Sequence, residues 1–393
     1  CGNDGRVHTS VDDGDTWVAR NNGLGVVQIY PGISVHPSNS TFLLGGMQDN
    51  GTNRRDAGLS WSQRIGGDGG YTALHPANPN TMFAEFQGTG NLYRSTNGGT
   101  NFNLSNSGIV GSDRNCFLPP VAFSPFNSST IFYGTHRVYR SINTGMNWTP
   151  ISGDLTSGGT AAIRGLVIAP SDVQTVYVTT NDGRLLVSTD GGVNFTPRLA
   201  GIPGWVRVKR EVAVDPTDDA IAYLAVAHFG VDQIRKTVNH GLSWTTIDGD
   251  LPDVPVNTVA VEHQGSTANV FLGTDAGVYM SCDSGGHWRK MGASLPNVPV
   301  MDLVVDIPFQ RLVAGTLGRG AWSVPLPPMG DADMDADVDL RDYRQFGICF
   351  SGAIDQPGFV SPSLVCLQSF DFEGDGDVDL GDYLCYSGQL EGP

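Results

Sequence analysis

Apolar residues in this chain fall in short runs, many of them β-branched, that alternate with polar positions at period two. Leu166–Pro170, Thr175–Thr180 and Arg184–Ser188 make one set of three such runs. Val212–Pro216 followed by Ala220–Ala227 begins another, with a Pro-centred turn between its runs. No sustained helical periodicity crosses residues 1–327, so the pattern predicts strands throughout. Nearly every set then closes on one signature, Ser/Thr-x-Asp/Asn-x-Gly-x-x-Trp/Phe. Its copies are Ser10–Asp12–Gly14–Trp17, Asp56–Gly58–Trp61, Ser95–Asn97–Gly99–Phe102 and Ser141–Asn143–Gly145–Trp148. They continue as Ser188–Asp190–Gly192–Phe195, Thr237–Asn239–Gly241–Trp244 and Ser281–Asp283–Gly285–Trp288, and only the second departs, with Arg54 in the hydroxyl position. The glycines recur 41 to 49 residues apart, a period that means stacked or radial repeats rather than one large mixed core.

The signature has the chemistry of a tight turn between two strands. Hydroxyl and Asx oxygens accept hydrogen bonds from turn N–H groups. The glycine supplies a positive φ, and the aromatic ring folds under the turn to close the core. The last set, Asp302–Ile307, Arg311–Thr316 and Gly320–Val324, has no signature after it.

This turn resembles the Asp box (BNR repeat) of sialidase-like, sortilin-like and xyloglucanase-like β-propellers, over residues 1–327. The resemblance implies an all-β fold of about seven four-stranded blades, with eight blades or an incomplete ring as alternatives. It also implies that the boxes are structural and lie on the face opposite the ligand site. Asn3–Ser10 (NDGRVHTS) matches Asn181–Ser188 (NDGRLLVS), so the sequence starts near the end of a second blade strand. The expectation is a fragment or processed form of a longer protein, or a lipoprotein with its lipid on Cys1. Ring closure would then have the N-terminal strands share a blade with the C-terminal ones.

Candidate chemistry on the propeller is sparse. A sialidase-like site needs three arginines, a Tyr–Glu pair and an acid/base Asp, yet the propeller holds only Glu85, Glu211 and Glu262, the last expected at a strand edge. A xyloglucanase-like site would use two carboxylates flanking a glycan cleft, and Asp49 and Asp68 are the candidates. Both fall in loops on the face opposite the boxes, where Gln48, Asp49, Asn50, Asp68, His136, Arg137, Asp182, Arg207, Arg210 and Arg319 form the expected ligand face. Arg114, Asn181, Lys209, His228 and Asp275 fall there too. The leading function is a recognition or scaffold propeller that binds a glycan or peptide. The alternative is a glycoside hydrolase acting on extracellular polysaccharide.

Composition shifts after Pro325–Pro328. From Met329 onward there are twelve Asp and two Glu against two Arg, most of the chain's net charge of −17. The spacing is that of ligands rather than of a solvated tail. Asp331, Asp333, Asp335, Asp339 and Asp342 occupy positions 1, 3, 5, 9 and 12 of a twelve-residue calcium loop, with Asp337 at position 7, whose backbone carbonyl is the ligand. Asp371, Glu373, Asp375, Asp377, Asp379 and Asp382 repeat the register, with Val338 and Val378 at position 8. Many hard carboxylates on a flexible loop suit Ca²⁺ better than Mg²⁺, so two Ca²⁺ sites are expected. Ala336 replaces the turn glycine in the first loop, and Gly376 keeps it in the second. Each loop is followed by a short helix, Tyr343–Phe350 and from Tyr383 onward.

This arrangement resembles a dockerin type I module, an EF-hand-like fold, over residues 328–393, which implies a cohesin-like protein or a cell-surface component as partner. Cys349, Cys366 and Cys385 cluster there, and any of three disulfide pairings is open. Cys116 and Cys282 sit in different repeats and are expected to be unpaired. The acidity argues against nucleic acid as a partner, and no apolar run is long enough for a transmembrane helix. Together these features predict a bacterial secreted or cell-surface protein.

Overall fold

The computed structural model describes residues 1–3, 6–20, 27–198, 210–264, 267–282, 284–292, 294–326 and 340–349, together with Cys366, Phe370 and Val378. Among these residues thirty short strands form eight antiparallel sheets in chain order. The first sheet is small: β1 (Gly2–Asn3), β2 (Arg6–Thr9) and β3 (Val18–Ala19). Blade 1 follows with β4 (Ser34–His36), β5 (Asn39–Met47), β6 (Gly51–Ala57) and β7 (Ser60–Ile65). Blade 2 holds β8 (Gly69–Leu74), β9 (Met82–Phe86), β10 (Leu92–Ser95) and β11 (Asn103–Leu104). In blade 3 come β12 (Val121–Phe123), β13 (Ile131–Gly134), β14 (Val138–Ser141) and β15 (Thr149–Pro150). Blade 4 has β16 (Ile163–Ile168), β17 (Val176–Thr180), β18 (Leu185–Ser188) and β19 (Thr196–Pro197). Blade 5 is built from β20 (Arg210–Val214), β21 (Ala222–Val226), β22 (Ile234–Thr237) and β23 (Thr245–Thr246). In blade 6 are β24 (Val256–Gln264), β25 (Thr267–Thr274), β26 (Gly277–Ser281) and β27 (Arg289–Met291). Blade 7, among the described residues, is β28 (Val300–Asp306), β29 (Arg311–Thr316) and β30 (Ala321–Pro325).

Sheets β4 to β30 make a seven-bladed propeller. Apolar residues from the facing sides of neighbouring blades meet at each interface. Blades 2 and 3 join through Phe83, Leu92, Ile131 and Tyr133, and blades 4 and 5 through Tyr177, Leu185, Val212 and Leu224. The second strands are buried on both faces, as in β13, β17 and β21, whereas the fourth strands β11, β15, β19 and β23 are exposed.

The ring closes between blades 7 and 1. Ile29, Ile33, Leu43 and Met47 pack on Val313, and the Ile29 amide donates to the Thr316 carbonyl at 2.9 Å. Asp302 on β28 accepts the amides of Gly32 and Ile33 at 2.9 and 2.6 Å. Closure through a blade shared with the N-terminal strands is therefore corrected. β1–β3 form a sheet of their own, and blade 7 meets blade 1 directly.

The recurring turns have the expected hydrogen bonds. In blade 3, Ser141 Oγ accepts the Gly145 amide at 2.9 Å and donates to Asn143 Oδ1 at 2.9 Å. Asn143 Oδ1 in turn accepts the Asn147 amide at 3.0 Å. Gly145 has φ 76°, and a Cβ there would lie 2.5 Å from the Phe83 ring, so both conformation and space require glycine.

In the C-terminal segment, helix α1 (Leu340–Cys349) follows the first predicted calcium loop. It spans most of the helix expected at Tyr343–Phe350 and begins earlier. Cys349 is bonded to Cys366, which selects one of the three pairings, and Cys116 and Cys282 are free. Buried Phe346 and Phe370 meet edge to face at 5.3 Å, and Val378 is buried.

Candidate functional site

Each blade is an antiparallel meander, so turns between second and third strands share one face with the blade-to-blade connections. The signature turns, between third and fourth strands, fall on the other. First strands line the axis. On the turn-and-connection face they enclose a chamber of about 530 Å³. Its wall is largely apolar and aromatic, with Tyr30 and Phe117 from connections, Tyr71 from β8, and Leu118, Val121 and Met301. Tyr30 and Phe117 meet edge to face with centroids 6.2 Å apart. Arg164 from β16, Glu211 from β20, Asn181 and the Cys116 thiol supply its polarity.

Tyr71 stands on the chamber wall with its phenol protonated. Burial first, then Glu211 and Asp302, push its phenol well above the usual range, against a smaller opposing pull from Arg164. Glu85, fully buried behind the wall, accepts the Tyr71 amide at 3.1 Å, and burial raises its carboxyl well above the carboxylate range. One Glu85 oxygen has no hydrogen-bond partner among the described residues. Burial likewise lifts the Cys116 thiol to about 11, so it is a neutral wall residue and not a nucleophile. Arg164 differs: among the described residues its guanidinium has no hydrogen bond or ion pair. It borders both the chamber and an adjoining recess beside Ser157, Thr160 and Asp182.

The residues expected from sequence form the rim, and most are already engaged. The Asp49 amide donates to Asp68 Oδ1 at 2.7 Å, and Asp49 is left-handed at φ 57°. The Asp68 amide donates to Gln87 Oε1 at 3.0 Å. In the same loop Asn50 Nδ2 donates to the Gln48 carbonyl at 2.8 Å. This loop lies beside Tyr30, whose phenol is raised first by burial and then by Asp68 and Asp49.

Arg137 grips Asp113 with two nitrogens, Nε to Oδ2 at 2.8 Å and Nη2 to Oδ1 at 2.6 Å, and His136 Nδ1 lies 4.0 Å from the same carboxylate. Arg114 pairs with Asp154 and donates to Thr156 Oγ1. Asp182 accepts the Ser157 amide at 3.0 Å and its hydroxyl, and lies 3.5 Å from Arg184. Arg319 sits in the β29–β30 turn, where its amide donates to Thr316 Oγ1 at 3.1 Å.

Arg207 and Lys209 lie outside the described residues, and Arg210 opens β20 without a described side chain. Every predicted calcium ligand except Asp342 also lies outside them. Asp342 stands on α1, and its side chain is not described. Glu262 is a correction. It is buried on β24, where Asn269 donates to it at 3.1 Å and burial raises its carboxyl, so it is no strand-edge residue.

The aromatic wall and Arg164 were not found from sequence. Tyr30, Tyr71 and Phe117 are 41 and 46 residues apart, close to the repeat period. Their offsets from the preceding signature glycine differ, so aligning the repeats on their turns does not bring the three rings to one position.

No family model matches the sequence, and no curated protein matches it. Solved structures share its fold. YCF48 from Cyanidioschyzon merolae is 14% identical with a TM-score of 0.56, covering 77% of this chain and 95% of that one. It is also matched in its form bound to D1 peptide. The GH74 xyloglucanase from Xanthomonas campestris is 19% identical with a TM-score of 0.57 over 77% of this chain. The extracellular domain of a putative one-component system from B. thetaiotaomicron is 12% identical, with a TM-score of 0.57 over 78% of this chain. This chain spans 52% of that xyloglucanase and 39% of that extracellular domain. At these identities the likeness is one of fold, shared by enzymes and non-enzymatic propellers alike.

Proposed function

We propose that the chain is an extracellular recognition propeller that takes its ligand, a peptide or glycan segment, into the axial chamber. The observation that carries this reading is the chamber, an aromatic-lined cavity where the Arg164 guanidinium has no hydrogen bond or ion pair among the described residues, while Arg114 and Arg137 on the same face are already paired with Asp154 and Asp113. Such a site offers apolar surface and few convergent polar groups, the usual composition of a binding pocket. YCF48 with its D1 peptide supports the peptide reading by analogy of fold alone.

The Asp boxes serve this function only by holding the ring. Residues 328–393 act as a dockerin-like module that binds two Ca²⁺ ions through the loops beginning at Asp331 and Asp371 and docks on a cohesin-like partner. Support comes from the donor register, from α1 standing where the helix after the first loop belongs, and from buried Val378, position 8 of the second loop. A disulfide between Cys349 and Cys366 suits an oxidising compartment outside the cell.

Peptide and glycan arrays probed with the parent, Arg164→Ala and Phe117→Ala test the chamber. Binding should fall at least tenfold in both variants, the loss expected when a buried hot spot is truncated. Undiminished binding in both would move the site elsewhere. A glycoside hydrolase is the second reading, favoured by the xyloglucanase likeness. A reducing-sugar assay on polysaccharides, with Asp49→Asn and Asp68→Asn, decides it. Turnover that both variants abolish would replace the binding reading.

A further inference from the structure

One rule places the signature tryptophans. Trp148 Nε1 donates to the Ser105 carbonyl at 2.8 Å, Trp244 Nε1 to Arg198 at 3.2 Å and Trp288 Nε1 to Ile247 at 3.0 Å. Each acceptor is the third residue after the aromatic of the preceding signature: Phe102, Phe195 and Trp244. The ring of one blade thus fills the groove behind the fourth strand of the blade before it. Phe195 does the same without an N–H, packing with Ile151, three residues after Trp148.

At the groove between blades 6 and 7 the rule points to Met291, three residues after Trp288. There the structure has a cavity of about 180 Å³, lined by Met291 and Leu295 on one side and Leu312, Ala314 and Val324 on the other. Blade 7 brings no signature and, among the described residues, no fourth strand, so the outer edge of β30 is unpaired beside the cavity.

The N-terminal sheet has the missing parts in surplus. Its signature turn is fully formed, with Ser10 Oγ accepting the Gly14 amide at 2.8 Å and Asp12 Oδ1 the Thr16 amide at 2.9 Å. Yet Trp17 is 51% exposed, against 3%, 8% and 6% for Trp148, Trp244 and Trp288. Val18 is 51% exposed as well, and β3 is held to β2 by two residue pairs, His8 with Ala19 and Thr9 with Val18.

We infer that the groove between blades 6 and 7, with the free edge of β30, is a docking surface for the Trp17–Ala19 strand of a second copy of this chain. The register is fixed by the other blades. Leu312 pairs with Val324 as Val270 pairs with Ser281, so Ser323 and Trp322 stand where Met280 and Tyr279 stand in blade 6. The incoming Val18 lies opposite Ser323, Ala19 opposite Trp322, and the Trp17 indole enters the cavity toward the Met291 carbonyl. Main-chain pairing supplies affinity and the ring supplies specificity, the logic of strand addition to a sheet edge.

Charge agrees: Asp12, Asp13 and Asp15 flank the incoming strand, and exposed Arg289 and Lys290 flank the groove. A second copy is the occupant because, among the described residues, Trp17 is half exposed while the groove is open. Donor and acceptor surfaces differ, so the contact is heterologous and propagates from copy to copy.

Sedimentation of the full chain tests this. The interface is small, so mass should rise with concentration only into the range of roughly hundreds of micromolar. Trp17→Ala should remain monomeric. Trp17→Phe should associate like the parent, since Phe195 fills an equivalent place. Leu295→Glu, on the groove side, should also be monomeric, but an equimolar mixture of Trp17→Ala and Leu295→Glu should form dimers and nothing larger, each supplying its intact surface. A parent that is monomeric at every concentration, self-association unchanged by Trp17→Ala, or a mixture that stays monomeric would overturn the proposal.

Discussion

Asp113 gathers four donors on one carboxyl group: two nitrogens of Arg137, the Tyr139 hydroxyl at 2.5 Å and the Thr135 hydroxyl at 3.2 Å. Burial works to raise its pKa, but the hydrogen bonds from Arg137 and Tyr139 outweigh it and bring the group down to about 2. A carboxyl depressed on folding contributes stability above its unfolded value and loses it as pH falls through the folded one. The window here runs from about pH 4 down to about pH 2. Asp113→Asn should therefore cost about 2–3 kcal/mol at neutral pH, and the gap to the parent should close as pH approaches about 2. Thermal melts across that range measure it. A gap independent of pH would mean that the carboxylate is not held ionised by its partners.

At the scale of the element, the signature turn and its aromatic act as one unit. Trp148 is 3% exposed, packs 6.0 Å from Tyr133 and bonds to the neighbouring blade, and Trp244 repeats the arrangement at 8%. Truncating either to Ala should cost about 3–5 kcal/mol, the usual loss for a large core side chain. Trp17→Ala, the same change in the same turn, should cost under about 0.5 kcal/mol in the monomer because that ring is already in water. Urea unfolding of the three variants compares them directly, and equal costs would show that burial of the ring is not what the turn supplies.

These turns were legible in the sequence because their chemistry is local: a hydroxyl, an Asx oxygen and a glycine within five residues, with one amide two residues beyond, make the turn's bonds. Strand order was legible for the same reason, since each blade is a meander of neighbours. The chamber was not, because Tyr30, Tyr71, Phe117 and Arg164 converge from four blades and none lies in a motif. Nor was ring closure, where Asp302 caps amides 270 residues away in the chain. An isolated aspartate after a short apolar run gives no sign of such a partner.

For the whole molecule, the ring holds itself together through apolar interfaces that need no ion, whereas the C-terminal segment concentrates negative charge that folding must neutralise. Six acidic residues per loop repel one another unless a cation sits among them. Among the described residues its apolar support is small: Phe346, Phe370, Val378 and one disulfide. For such a segment binding free energy is folding free energy. Calorimetry of the full chain should accordingly show two transitions. The propeller transition should be indifferent to calcium. The C-terminal one should vanish in chelator and rise with calcium, gaining about 2.7 kcal/mol at a hundredfold excess over the dissociation constant. On the proposed two-loop reading, position 6 of a calcium loop favours glycine, which is Gly376 in the second and Ala336 in the first, so Asp371→Ala should remove more calcium-dependent stability than Asp331→Ala. A single transition that ignores both calcium and chelator would reduce the segment to an acidic tail and would leave the propeller without the tether proposed for it.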